Sequence, residues 1–157
     1  MFSGVVDAIR AAGGAVYAVT SEPQSLAAHA QEEWGLSFEC VGDPHQEIAG
    51  AARDQGMLDL RTSEVGEFIT RDTTWAVSHP KGFYQPGVLA LNSERLLYRW
   101  QSIPSRDNMG GAGGRPAEEY VWGEIQAALA DTAAADAALD ETPITGGKAC
   151  LLYTSPS

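Results

Sequence analysis

The chain has 157 residues, 44% of them hydrophobic, enough for one domain with a real core and too few for two full ones. Ten Lys plus Arg against 21 Asp plus Glu leave a formal charge of -11, and with no clustered basic patch this excludes nucleic acid and anionic membrane surfaces as partners. No apolar run of about 18 residues or more occurs, nor a charged n-region followed by a long apolar h-region, so no membrane span or secretory signal is read and a cytoplasmic location is expected.

In chain order, Phe2 to Ala12 carries Val5, Val6 and Ile9 at helical spacing and stops at Gly13-Gly14. Ala15 to Thr20 is a short continuous apolar run, as expected of a buried parallel strand. Ser21 is expected to cap the next helix, with Glu22 and Pro23 in its first turn; that helix runs to about Trp34 and ends at Gly35. Leu36 to Val41 reads as a strand, Gly42-Asp43-Pro44 as a turn, and His45 to about Gln55 as a helix with Ile48, Ala51 and Ala52 inward. This alternation predicts a layered α/β fold with crossover helices. A further helix is read over Ser63 to Trp75, from Val65, Phe68, Ile69 and Trp75 on one side.

Beyond it, Val88 to Leu91 and Leu96 to Trp100 flank the polar turn Asn92-Ser93-Glu94-Arg95, which predicts an antiparallel hairpin. Ser105 to Gly114 is a Gly-rich loop. A last helix opens at Arg115-Pro116 and carries Val121, Trp122, Ile125, Ala128 and Leu129 on one face. The fold body is expected to end near Ala130, with Asp131 to Gly147 a frayed helix extension and tail.

Cys40 and Cys150 form no C-x-x-C pair and no zinc-type cluster, a count that suits a reducing compartment. His29, His45 and His79 share no ligand spacing with an acidic or thiol partner, so no metal site and no other cofactor is expected.

The element order helix, strand, helix, strand, helix, Pro-led hairpin and closing helix is that of a thioredoxin fold after its first strand. AVYAVTSEPQSLAAHAQEEWGLSFECVGDPHQEIA and QPGVLALNSERLLYRWQSIPSRDNMGGAGGRP resemble segments of the AhpC/TSA (peroxiredoxin-like) family, and the likeness covers roughly Phe2 to Leu129. It implies a thioredoxin-like three-layer α/β/α sandwich, here lacking its first strand. Residues 1–130 would be that domain, incomplete at the N-terminus, and 131–157 an acidic Ala-rich tail.

The family's peroxidatic cysteine, in P-x-x-x-T/S-x-x-C or C-x-x-C, opens the helix after the first central strand, where the helix dipole and backbone N–H groups lower the thiol pKa. Neither that strand nor that cysteine is present here. Ser37-Phe38-Glu39-Cys40 is formally S-x-x-C, but Glu33 stands where the motif wants Pro, and the neighbouring carboxylate Glu39 opposes thiolate formation. Cys40 is therefore read as a small buried apolar group. Cys150 lies in an octapeptide, Cys150 to Ser157, that resembles the translation of a sequencing adapter, so an artefactual end and an open reading frame truncated on both sides are expected.

Pro86 stands where thioredoxin folds place a cis-proline beside the active cysteine, with Gln85 and Gly87 flanking it. An arginine that many peroxiredoxins carry near this point is missing. Asn108 to Arg115 is glycine-rich but lacks a G-K-[ST], so a loop is read rather than a phosphate cradle. Asp43 and His45 are read as a cap and a solvated side chain, and Tyr98 with Trp100 as a packed strand face.

The resemblance implies a fragment of a hydroperoxide-reducing thiol oxidoreductase, inactive as it stands, whose intact form is reset by a thiol reductant of thioredoxin or glutathione type. Self-association through the unfinished sheet is expected. The alternative is a thioredoxin-like module that binds a protein partner without chemistry.

Overall fold

Val6 and Ile9, one helical turn apart, are buried on the inner side of α1 (Ser3–Ala11), and Gly13 ends this helix with φ 82°, a left-handed conformation that glycine adopts without strain. The computed structural model describes residues 3–63, 77–93, 95–102, 113–139 and 149–153. After α1 come β1 (Ala15–Thr20), α2 (Gln24–Glu33), β2 (Glu39–Gly42), α3 (Glu47–Asp54), β3 (Thr62–Ser63), β4 (Phe83–Tyr84), β5 (Gly87–Asn92), β6 (Arg95–Gln101), α4 (Glu118–Leu139) and β7 (Ala149–Tyr153). No helix among the described residues is long and apolar enough to cross a membrane.

The main sheet has the order β2-β1-β7-β5-β6, and β3 pairs with β4 in a separate ribbon. β1 runs parallel to β2 and to β7, whereas β5 runs antiparallel to β6 and to β7. Helices cover both faces. Val6, Ile9 and Ala27 pack on Val16, Ala18 and Cys40, while Val121 and Ile125 pack on Val88 and Ala90; Trp122 touches both clusters and joins them. On the opposite face, Ile48, Ala49 and Ala52 of α3 meet Val19 and Leu89. The layered α/β class expected from the alternation of elements is therefore present.

Several expectations are corrected. The helix extension expected from Asp131 is present, since α4 runs to Leu139, but the tail expected beyond it contains the central strand of the sheet, Ala149–Tyr153. Alanine has the best helix propensity, so an Ala-rich stretch sustains a helix, and Ala149–Tyr153 is an apolar run of the length a fully buried strand needs. The gap expected at the centre of the sheet is thus filled by this chain's own residues.

Ser21 does not cap α2; Pro23 occupies the N-cap, and its carbonyl accepts the N–H groups of Leu26 and Ala27. Ser63 pairs in β3, and the rest of the helix read over Ser63 to Trp75 lies outside the described residues, as does most of the glycine-rich loop.

β2 is an edge strand, and α2 blunts it. The Gln31 side-chain oxygen accepts the Cys40 N–H at 2.9 Å. The Gln24 amide accepts the Gly42 N–H at 2.8 Å and donates to the Cys40 carbonyl at 3.0 Å. Two side-chain amides thereby satisfy the groups an incoming strand would need.

Candidate functional site

Polar side chains are unusual in a core, yet Ser21, Asp43, His79, Gln85 and Ser102 are all buried, none more than 5% exposed. Ser21 follows β1 and Asp43 follows β2, so both stand at the carboxyl ends of parallel strands, the end where open α/β sheets bind ligands. Tyr84 reaches the same place from the chain leading into β5: its N–H donates to Ser21 Oγ at 3.2 Å, and its hydroxyl donates to Asp43 Oδ2 at 2.6 Å.

Asp43 holds its position through the start of α3. Its Oδ1 accepts the Glu47 N–H at 2.7 Å, and Oδ2 accepts those of Ile48 and Ala49 at 2.9 and 3.3 Å. This is the cap read from the sequence, delivered from outside the helix because Gln46, at the N-cap, is left-handed with φ 59°. Four donors on one carboxylate leave it committed to structure rather than to proton abstraction. Burial, and next the hydrogen bond to Asp43, push the Tyr84 phenol far above its ordinary value, so it stays a donor.

His79 Nε2 lies 3.7 Å from Glu22 Oε1, and its ring meets Phe83 edge-on at 6.2 Å between centroids. Thr20 braces Glu22: its hydroxyl accepts the Glu22 N–H at 3.4 Å and donates to Oε2 at 3.3 Å. Nearby, Lys81 Nζ donates to the His45 carbonyl and the Gln46 amide donates to the Lys81 carbonyl, tying the 79–82 turn to the start of α3.

Of the residues singled out in the sequence, Asp43 belongs to this cluster, and Gln85 and Pro86 follow Tyr84 in the chain, where the Gln85 N–H donates to the Arg61 carbonyl at 2.8 Å. The Gln85–Pro86 peptide is trans, which corrects the cis-proline expected from the resemblance; trans is the lower-energy form of an X–Pro bond. Pro86 instead serves β5 through its carbonyl, which accepts the Ser102 N–H at 2.8 Å. His29 pairs with Glu33 on the exposed side of α2 at 3.9 Å. Cys40 is buried, 6% exposed, on β2, and burial raises its thiol pKa. Cys150 pairs with Ala15 and Leu91 in the sheet. Among the described residues no three His, Cys, Asp or Glu side chains are grouped to hold a metal ion.

Glu22, His79 and Tyr84 were not legible as site residues. Tyr84 meets Asp43 across 41 positions and Ser21 across 63, and no local spacing announces such contacts. A small apolar cavity lies elsewhere, about 50 Å³ between α1, the sheet and α4, lined by Val6, Ile9, Val16, Phe38, Val121 and Trp122. No family model, no curated protein and no solved structure matches the chain.

Proposed function

We propose that the chain is the scaffold part of a thioredoxin-like thiol oxidoreductase of the AhpC/TSA kind, without peroxide-reducing activity of its own. The observation that carries this is the sheet order β2-β1-β7-β5-β6, parallel on one side and an antiparallel hairpin on the other, with Pro86 leading into β5. In the intact enzyme a thiolate attacks the peroxide O–O bond. One oxygen goes to sulfur as a sulfenic acid, the other leaves as water or an alcohol, and a thioredoxin- or glutathione-type thiol then reduces the sulfenic acid back.

Cys40 does not supply that thiolate. It lies on a strand rather than at a helix N-terminus, and burial keeps it protonated.

The test is to read the coding DNA for about fifty codons ahead of Met1, on the order of two strands, a turn and half a helix. An open frame that encodes an apolar strand followed by T-x-x-C or C-x-x-C supports the proposal, and an in-frame stop directly ahead of Met1 overturns it. The buried state of Cys40 equally favours a second reading, a partner-binding module that performs no chemistry; the stop codon is its expected result.

A further inference from the structure

The main sheet ends in β2 on one side and β6 on the other. The β2 edge is satisfied by the Gln24 and Gln31 side-chain amides, whereas no described residue hydrogen-bonds the outer backbone groups of β6. In an antiparallel ladder, hydrogen-bonded and non-hydrogen-bonded pairs alternate. The Ser102 N–H bonds the Pro86 carbonyl, one step beyond Gly87↔Gln101, so Trp100 shares a bonded pair with Val88. Arg99 and Gln101 fall in the alternate pairs, and their N–H and C=O groups point away from β5, to the outside of the sheet.

A cleft of about 490 Å³ lies against this edge, within the roughly 300–1,000 Å³ of ligand sites. Arg99, Trp100 and Gln101 all line it. Successive side chains of a strand point to opposite faces, so three consecutive residues meet one cleft only at the strand's rim. The other wall is Arg53, Gly56, Leu58 and Asp59, where α3 gives way to the chain ahead of β3. That wall is tied to β6 at both ends: Arg99 Nη1 donates to the Gly56 and Met57 carbonyls at 3.1 and 3.4 Å, and the Asp59 N–H donates to Gln101 Oε1 at 3.2 Å. The carbonyl bonds fix the Arg99 guanidinium while its Nε–H and Nη2 amino group keep no described partner. A guanidinium edge of this kind takes a carboxylate in two parallel bonds. Arg53, whose Nε lies 3.5 Å from Asp54, adds a second cation. The lining thus holds two guanidinium groups against one carboxylate, in a chain whose formal charge is -11.

We propose that the β6 edge binds an extended acidic peptide as an added strand, with a Glu or Asp side chain of that peptide seated in the cleft on Arg99 and Arg53. Main-chain bonds to Arg99 and Gln101 supply the register, and the cleft supplies the side-chain preference. A second copy of this chain fits worse, because β6 carries Arg95 and Arg99 and no acid, and two such strands set like charges together. No thiol takes part, so the proposal is independent of the redox reading.

The test titrates the full-length chain, labelled with nitrogen-15, with an acetylated and amidated heptapeptide of alternating threonine and glutamate, and separately with its threonine–glutamine counterpart. Strand addition slows solvent exchange of the Arg99 and Gln101 amide N–H groups about tenfold once free peptide is about ten times its dissociation constant. The glutamine peptide is expected to bind about two- to fivefold more weakly, the share of an exposed ion pair, and Arg99→Gln to narrow that difference. Binding that leaves exchange at Arg99 and Gln101 unchanged overturns the proposal, as do equal affinities of the two peptides for the wild-type chain. An unchanged difference in Arg99→Gln, or no shift at these amides with about 1 mM peptide, is equally fatal to it. Shifts at the same amides when the chain is concentrated without peptide assign the edge to a second copy instead. If Arg99→Gln fails to fold, the two peptides on the wild-type chain decide by themselves.

Discussion

The Tyr84 hydroxyl and the Asp43 carboxylate bring β4, the turn after β2 and the first turn of α3 to one point. Hydrogen bonds to charged groups contribute about 1.5–3 kcal/mol, so Tyr84→Phe is expected to lower the unfolding free energy at pH 7 by that amount, read from urea titrations. The same bond gives alkaline sensitivity a definite sign. In the unfolded chain the phenol releases its proton near 10.0, whereas in the folded protein burial and Asp43 hold it on to higher pH. Above pH 10 the unfolded state therefore binds fewer protons than the folded one, and stability that is fully present below that point is lost as pH rises. The urea midpoint of the wild-type chain should fall more steeply between about pH 10 and 11.5 than that of Tyr84→Phe. At Cys40, burial both shields the thiol and keeps it protonated. Iodoacetamide at pH 7 should leave it unmodified in the native chain and label it in urea; rapid native labelling would contradict its place in the core.

At the scale of elements, β2 meets the start of α2 with almost no space between them. A Cβ on Gly42 would stand 2.5 Å from the Gln24 backbone nitrogen and 2.6 Å from the Glu22 carbonyl oxygen, and neither backbone atom can turn aside. Gly42→Ala is expected to cost about 1–3 kcal/mol as overpacking and to break the Gln24 clamp on the β2 edge; thermal unfolding read by circular dichroism measures the loss. The elements themselves were largely legible. β1 follows from the run Ala15 to Thr20, and the hairpin from two apolar runs around Asn92 to Arg95. In the hairpin Asn92 pairs with Arg95, and Ser93 is left-handed at φ 55°. Ser21 misled because a serine ahead of an acid and a proline has the chemistry of a cap, and a distant partner, the Tyr84 N–H, claimed its hydroxyl.

For the whole molecule, the decisive feature is β7. A proline has no N–H to give to a ladder and is confined to edges and bulges, so Leu151→Pro at the centre of the sheet should lower stability on the order of 3 kcal/mol or more. Denaturant unfolding measures it, and an unchanged midpoint would show that residues 149–153 contribute nothing to the sheet.

The class of fold and most of the element order are legible from local signals, because periodicity, glycine stops and turn residues are carried by a few neighbouring residues. The readings of Asp43 as a cap and of Cys40 as a buried apolar group agree with the structure, since a carboxylate ahead of a helix finds free N–H groups and a thiol in an apolar strand packs inward. Long-range packing sets which strand lies in the middle, that His79 meets Glu22 beyond the end of β1, and that Ser21 serves β4 rather than α2. Strand order and long-range hydrogen bonds are chosen by competition among surfaces far apart in the chain. An apolar run such as Ala149–Tyr153 states that it must be buried, while where it is buried depends on which unpaired edges the rest of the fold leaves open.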